Sequence, residues 1–214
     1  MTGAGSPEAA PAVGRESCDQ TSWPLGPLPE GERPWQVLSR REVVRNRHLN
    51  LDAEAVETSA GAVLDPYWVM SYPDWVMVVA LTPDDRLVLV RQWRQGAKAW
   101  VLEPPGGVMD AEDADACATA ARELREETGY AATRLRLVGS LWSDPAHNTN
   151  RIHIVLAEDA VPAGAHDREA GEELETLTMP VAEAIAGVTR GMFVHAMHLG
   201  GLLLALQAAG RIRF

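Results

Sequence analysis

Ala121-Arg122-Glu123-Leu124-Arg125-Glu126-Glu127-Thr128-Gly129-Tyr130 gathers three carboxylates within five residues. On a helical period of about 3.6 residues, Glu123, Glu126 and Glu127 fall at i, i+3 and i+4, so one helical face carries all three. The other side of the same segment presents Cys117, Ala120, Ala121, Leu124 and Thr128, a small, mostly apolar stripe suited to packing on a sheet. Gly129 stands where helices end in a left-handed residue. Like charges at this spacing repel by roughly 0.2–0.5 kcal/mol per pair. A divalent cation would remove that repulsion, and carboxylate oxygens are the ligands that Mg²⁺ and Mn²⁺ prefer. For the acids taken alone, a solvated acidic face is the alternative.

Upstream lies Glu103-Pro104-Pro105-Gly106-Gly107-Val108, a rigid turn followed by two residues free to take positive φ. Such a loop aims backbone carbonyls at a metal or lets a phosphate come close. Next comes an acidic helix start with Asp110, Glu112, Asp113 and Asp115, and then Arg122-Glu123-Leu124 and Glu126-Glu127. This ordered set resembles the Nudix box, written G-x5-E-x7-R-E-U-x-E-E-x-G-U with U a bulky apolar residue. Counted from Gly107, the first acidic position falls on Asp113, and eight residues instead of seven separate it from Arg122. One residue is therefore inserted among Asp113–Thr119. The half from Arg122 to Tyr130 matches throughout and carries the metal ligands in the family. The insertion bears on the brace between loop and helix more than on the metal site.

At 214 residues and 46% hydrophobic, the chain can bury one good core. The net charge of −11 argues against a duplex nucleic-acid binder, which would need a basic face. Cys18 and Cys117 lie far apart, with Cys117 expected on a packed helix face, so no disulfide is expected and a reducing cytoplasm fits. No apolar run reaches the ~18 residues that span a bilayer, and no signal peptide is recognised at the N-terminus.

Three regions are expected: a disordered or loosely docked tail over 1–32, a β segment over 33–66, and a catalytic domain over 67–214. Strands are predicted at Trp35–Val44, in hairpin form around Leu51–Leu64, and at Trp75–Leu81, Arg86–Gln92, Trp100–Glu103, Leu135–Trp142, Arg151–Ala157 and Leu174–Pro180. Thr82-Pro83-Asp84-Asp85 has the composition of a hairpin turn. Helices are predicted over Val181–Val188 and Met192–Ala209. The Met and Leu stripe of the second is core or dimer interface. The fold class is α/β. The resemblance implies a Nudix-type α/β/α sandwich with a mixed sheet and an N-terminal β-rich extension.

Flanking segments resemble the ADP-ribose pyrophosphatase-like subgroup. They are Tyr72-Pro73-Asp74-Trp75-Val76, Val90-Arg91-Gln92-Trp93-Arg94-Gln95-Gly96, and the loop from Asp144 through Pro145 to His153. Glu172-Glu173-Leu174-Glu175 resembles the late acidic loop that supplies a further glutamate in such enzymes. The resemblance implies Glu123, Glu126 and Glu127 as metal ligands, with the Gly106 carbonyl as another. Glu126, Glu127, Glu172 and Arg122 are the expected catalytic group. Glu173 competes with Glu172 for the role of base or late ligand, and Arg122 is placed to orient Glu126. Arg91 or Arg94 is expected to grip a phosphate bidentately, while Trp68 and Trp75 are candidates to stack a base and His147 to touch phosphate. Ordinary surface arginines, a core Trp75 and a solvated His147 are the alternatives. His195 and His198 are assigned no chemistry.

The resemblance implies a cytoplasmic hydrolase using Mg²⁺ or Mn²⁺ on a nucleoside diphosphate linked to another moiety. ADP-ribose or another nucleotide sugar is the expected substrate. A catalytically silent nucleotide sensor and a Nudix hydrolase for another nucleotide derivative are the alternatives. A homodimer is expected, with neither nucleic acid nor membrane as partner.

Overall fold

A computed structural model describes residues 14–15, 33–46, 49–166 and 173–214. In chain order the strands are β1 (Gly14–Arg15), β2 (Gln36–Arg45), β3 (Asn50–Glu57), β4 (Val63–Ser71), β5 (Trp75–Leu81), β6 (Arg86–Arg94), β7 (Ala99–Glu103) and β8 (Gly106–Val108). Helix α1 (Ala116–Thr128) follows, then β9 (Tyr130–Ala131), β10 (Arg134–Trp142), β11 (Arg151–Glu158), β12 (Val161–Pro162) and β13 (Leu174–Pro180). Helices α2 (Val181–Val188) and α3 (Ala196–Ala208) complete the order.

Strand β5 dictates the layering. Its side chains alternate, and both faces are buried. Val76, Val78 and Ala80 pack with Ala116, Cys117, Ala120 and Leu124 of α1. Met77, Val79 and Leu81 pack with Val181 and Ala184 of α2 and with Leu202 and Leu206 of α3. The sheet between these layers runs β1-β10-β11-β5-β6-β13, with β7 on β6 and β8 on β5. Pairing of β5 with β11 is parallel, so the sheet is mixed, as expected of the α/β/α sandwich.

The Thr82-Pro83-Asp84-Asp85 turn joins β5 to β6 as predicted. Thr82 N–H donates to Arg86 O at 2.9 Å, and Asp85 takes a positive φ of 60°. Beyond the turn the two strands pair at Ala80–Val88 and Leu81–Leu87 and then splay. β8 fills the side of β5 and β7 the side of β6. Glu103, Pro104 and Pro105 cross the gap, where Pro105 O accepts from Val78 N–H at 2.8 Å. The site is built around this parting.

The N-terminal extension is a separate antiparallel sheet, β2-β3-β4. It meets the body where Met70 pairs with the 147–149 loop. Apart from the β1 pair, which lies parallel to β10, the expected tail over 1–32 lies outside the described residues.

Two expectations need correction. The final helix begins at Ala196, not Met192. Gly191 turns left-handed at φ 73°, Met192 N–H returns to Gly187 O, and Phe193 drops into the core, so the chain cannot be helical there. The apolar stripe of α3 is core: Leu202 and Leu206 have no exposed surface. Cys117 is disulfide-bonded, against the expectation of a free thiol. Burial on the packed face of α1 did not exclude a partner, and the inference of a reducing compartment falls with it. Cys18, the chain's other cysteine, lies outside the described residues.

Candidate active site

Helix α1 begins where the inserted residue is absorbed. Asp115 caps it, its Oδ1 accepting from Ala118 N–H at 2.8 Å, a standard N-cap geometry. Gly129 closes it in the left-handed conformation at φ 73°. The insertion therefore sits in the turn before the helix and leaves the register of the carboxylates intact.

Arg122 organises the acidic face. Its Nη1 donates to Glu123 Oε1 at 2.8 Å and to Glu126 Oε2 at 3.0 Å. Its Nη2 donates to Asp113 Oδ2 at 3.0 Å and to Val108 O at 3.1 Å. Asp113 also accepts from Thr119 Oγ1 at 2.9 Å and Asp110 N–H at 3.1 Å. The brace between loop and helix is thus closed, with an aspartate where the box has a glutamate. The Arg122 hydrogen bond holds the Asp113 carboxyl below its ordinary pKa against the opposing effect of burial, and Thr119 and the Asp110 backbone add to it. Asp113 in turn drives the Arg122 pKa further up, so the guanidinium is a fixed cation.

The glycine loop meets the same face. Gly106 N–H donates to Glu127 Oε2 at 2.9 Å, and Glu127 is buried. A Cβ on Gly107 would lie 2.3 Å from Glu123 Oε1, so any side chain there would displace the carboxylate. This glycine is required by close approach. Three carboxylates beside a bare backbone loop form an all-oxygen donor set, the kind that suits a hard divalent ion. Gly106, Glu123, Glu126, Glu127 and Arg122 are brought together. Glu172 lies outside the described residues, and Glu173 is exposed just before β13.

The substrate-side candidates divide. Arg94 and Trp75 line one cavity of about 510 Å³, with Tyr72, Asn148, Asn150 and His198. Arg91 lies elsewhere, paired with Glu175 at 2.8 Å and placed over the Trp100 ring. His147 lines a smaller hollow with Trp35 and Tyr67, and its Nδ1 is 2.9 Å from Trp68 O. The Trp68 side chain is 40% exposed on β4 and lines neither hollow.

Three residues of the cavity region were not foreseen. Glu103 is fully buried, and its Oε2 accepts from Arg94 Nε at 2.8 Å and Nη2 at 2.6 Å. His198 stacks on Trp75 with ring centroids 5.0 Å apart and planes at 3°. His195 caps α3, its Nδ1 accepting from His198 N–H. Burial pushes both imidazoles below their ordinary pKa, against the opposing charge of Glu103 at His195; at His198 the neighbouring His195 and then Arg94 add to it, bringing it to about 2. The available signals were weak: an acid closing an apolar strand, and two histidines at i and i+3.

Residues 72–196 match the NUDIX domain family. The ADP-ribose pyrophosphatase of Bacillus subtilis is 24% identical over 151 residues, covering 70% of this chain and 80% of that protein. A CMP-5'-(N-acetyl-N-hydroxy-3-aminopropyl)phosphonate hydrolase of Streptomyces rubellomurinus is 30% identical over 176 residues, covering 82% and 84%. The crystal structure of an ADP compounds hydrolase superposes with a TM-score of 0.74 at 26% identity, covering 86% of this chain and 100% of the other. The chain belongs to the Nudix family of pyrophosphohydrolases, in its ADP-ribose pyrophosphatase-like subgroup.

Proposed function

We propose that this enzyme hydrolyses the pyrophosphate of ADP-ribose or a related nucleotide sugar, with Mg²⁺ or Mn²⁺ as cofactor. Water attacks one phosphorus and the bridging P–O bond breaks, giving AMP and ribose 5-phosphate from ADP-ribose. The observation that carries this reading is the Arg122 network: one guanidinium holds Glu123 and Glu126 together while Gly106 holds Glu127 beside them. Glu123, Glu126 and Glu127 would hold a divalent ion, which would supply neutralisation of phosphate charge and activation of the attacking water. Arg122 orients Glu123 and Glu126. Glu172, with Glu173 as the competing residue, is assigned as the proton acceptor or late ligand.

Substrate recognition is assigned to the cavity. Arg94, fixed by buried Glu103, presents the rest of its guanidinium to a phosphate, and Trp75 offers a ring for a base. Purified protein should release AMP from ADP-ribose only when Mg²⁺ or Mn²⁺ is present. A panel of ADP-ribose and other nucleotide sugars, assayed with each metal, tests the assignment. No release from any of them overturns it in favour of a nucleotide sensor.

A homodimer accompanies this reading. β2 exposes Val37, Leu38 and Val43, with Trp35 beside them 50% exposed. A second copy covering this strand would bury those side chains, and two-fold pairing is the commonest oligomer symmetry. Since Leu202 and Leu206 of α3 are taken up by the chain's own core, the pairing surface is assigned to the N-terminal sheet. Truncation through Leu64, which removes the whole of β2 and β3, should abolish both dimer and activity. A fully active monomer at micromolar concentration by light scattering contradicts the dimer and leaves the metal-site reading standing.

A further inference from the structure

We propose that Glu103, His195 and His198 form a second metal site, specific for an imidazole-preferring transition ion of the Zn²⁺ class and built separately from the carboxylates of α1. One donor atom from each of the three lies within 4.8 Å of the others. Two of these side chains are almost wholly buried: Glu103 at 0% and His198 at 2% exposure. Both carry an atom with no hydrogen-bond partner among the described residues, Glu103 Oε1 and His198 Nδ1. Orphaned buried polar atoms are costly, and two facing each other need an explanation.

Their separation supplies it. Oε1 and Nδ1 are 3.6 Å apart, too far for a hydrogen bond. Two ligands on a tetrahedral ion with bonds of roughly 2.0–2.1 Å stand about 3.3 Å apart, so a small inward movement closes the pair on an ion. Arg94 binds the other carboxylate oxygen and orients Oε1 toward His198, as second-shell donors do in metal sites. The stack on Trp75 fixes the plane of the His198 ring.

His195 completes the set. Its Nδ1 accepts the long 3.3 Å cap bond from His198 N–H. Whichever ring nitrogen ligates, that acceptor is given up, so the ion exchanges a weak cap for a bond. Two imidazoles and one carboxylate make a set that Mg²⁺ disfavours and Zn²⁺ or Co²⁺ accepts. Three protein ligands leave a fourth position. His195, His198 and Arg94 all line the cavity, so an oxygen ligand from that side is what the fourth position takes.

Co²⁺ titration of the chelator-treated full-length protein tests this with a readout independent of turnover. The wild type should bind Co²⁺ with the intense visible absorption of a tetrahedral site. His195→Ser keeps a cap-competent oxygen on α3 while removing a ligand, and should bind at least ~10-fold more weakly, with the band lost. Glu123→Gln, which alters only the α1 face, should keep the band. A wild type without the tetrahedral band, or a band that survives His195→Ser, overturns the proposal. So does a band lost in Glu123→Gln. None of these outcomes bears on whether AMP is released with Mg²⁺.

Discussion

The acidic face of α1 and the cavity wall at Glu103 solve the same problem in opposite ways. Both hold carboxylate charge against an arginine. On α1, Arg122 lies one residue before Glu123 and four before Glu126, so the cation that relieves the repulsion comes from the same helix. At the cavity wall, Glu103 receives Arg94 from a neighbouring strand and faces a histidine 95 residues later in sequence without a hydrogen bond to it. The first arrangement is local and satisfied. The second is long-range and leaves two buried atoms waiting. A satisfied cluster can keep its shape with or without an ion, whereas an orphaned pair needs something between its members.

The largest effect should come from the α1 face. Glu127→Gln preserves size and can still accept from Gly106 N–H, so it removes charge with little change in shape. Turnover should fall by roughly 10²-fold or more, as on loss of an electrostatic stabiliser. Stability without metal should hold or rise slightly, because repulsion is relieved. Near-wild-type turnover at saturating Mg²⁺ would sink the assignment of this face as the metal site.

Arg122→Lys sharpens the contrast, because it keeps the charge and loses the fork. One ammonium cannot reach Asp113, Val108, Glu123 and Glu126 at once. About a tenfold loss of turnover is expected, with weaker Mn²⁺ binding by calorimetry. Unchanged Mn²⁺ affinity would show that the carboxylates hold their positions without the guanidinium.

The same contrast explains what was legible in the sequence. Glu123, Glu126, Glu127, Arg122 and the Gly129 stop lie within eight residues, and helical periodicity alone puts them on one element. The β5–β6 hairpin was legible for the same reason, since strand and turn signals are local. Residue chemistry did not reveal which strand pairs where. The parting of β5 from β6, which leaves room for Glu103, depends on long-range pairing with β7 and β8. His195 and His198 carry no assigned chemistry in the sequence, because the acid they meet, Glu103, stands far from them along the chain. The start of α3 was misplaced because Met192 and Phe193 continue the apolar pattern while Gly191 and the His195 cap break the backbone. The Arg94–Glu103 bond is likewise invisible from composition, though both residues stand in segments that were singled out.

Deleting Ala116 should produce a smaller loss, carried mainly by stability. The deletion restores the family spacing on paper. In the fold it advances the residues before it by about 100° around the helix. Asp115 would then leave its cap on Ala118, and Asp113 would leave Arg122. Loss of a cap costs about 1 kcal/mol, or roughly 2–4 °C in Tm for a domain of this size. Thermal unfolding and turnover should both drop. A deletion mutant more active than the natural chain would mean that the native spacing holds the enzyme off.

The smallest effect should come from Asp113→Asn, and its signature is its pH dependence. The Arg122 hydrogen bond, helped by Thr119 and the Asp110 backbone, places the folded-state pKa of Asp113 below its unfolded value. A depressed carboxyl pKa means the unfolded chain binds the proton more readily. The stabilisation is therefore fully present above the ordinary carboxylate value of about 3.9 and disappears as pH falls through the depressed folded value. At pH 7 the variant should be less stable by about 1 kcal/mol or less, a partly exposed ion-pair contribution. The gap to wild type should stay constant from pH 7 down to about 4 and close below that. Because Asp113 touches Arg122 but none of the three α1 glutamates, turnover should fall less than in Arg122→Lys. Chemical denaturation across the pH range measures the gap directly. A gap that persists unchanged below the depressed pKa would show that Asp113 acts through its shape and neutral hydrogen bonds, and that charge on the brace is not what holds the loop to the helix.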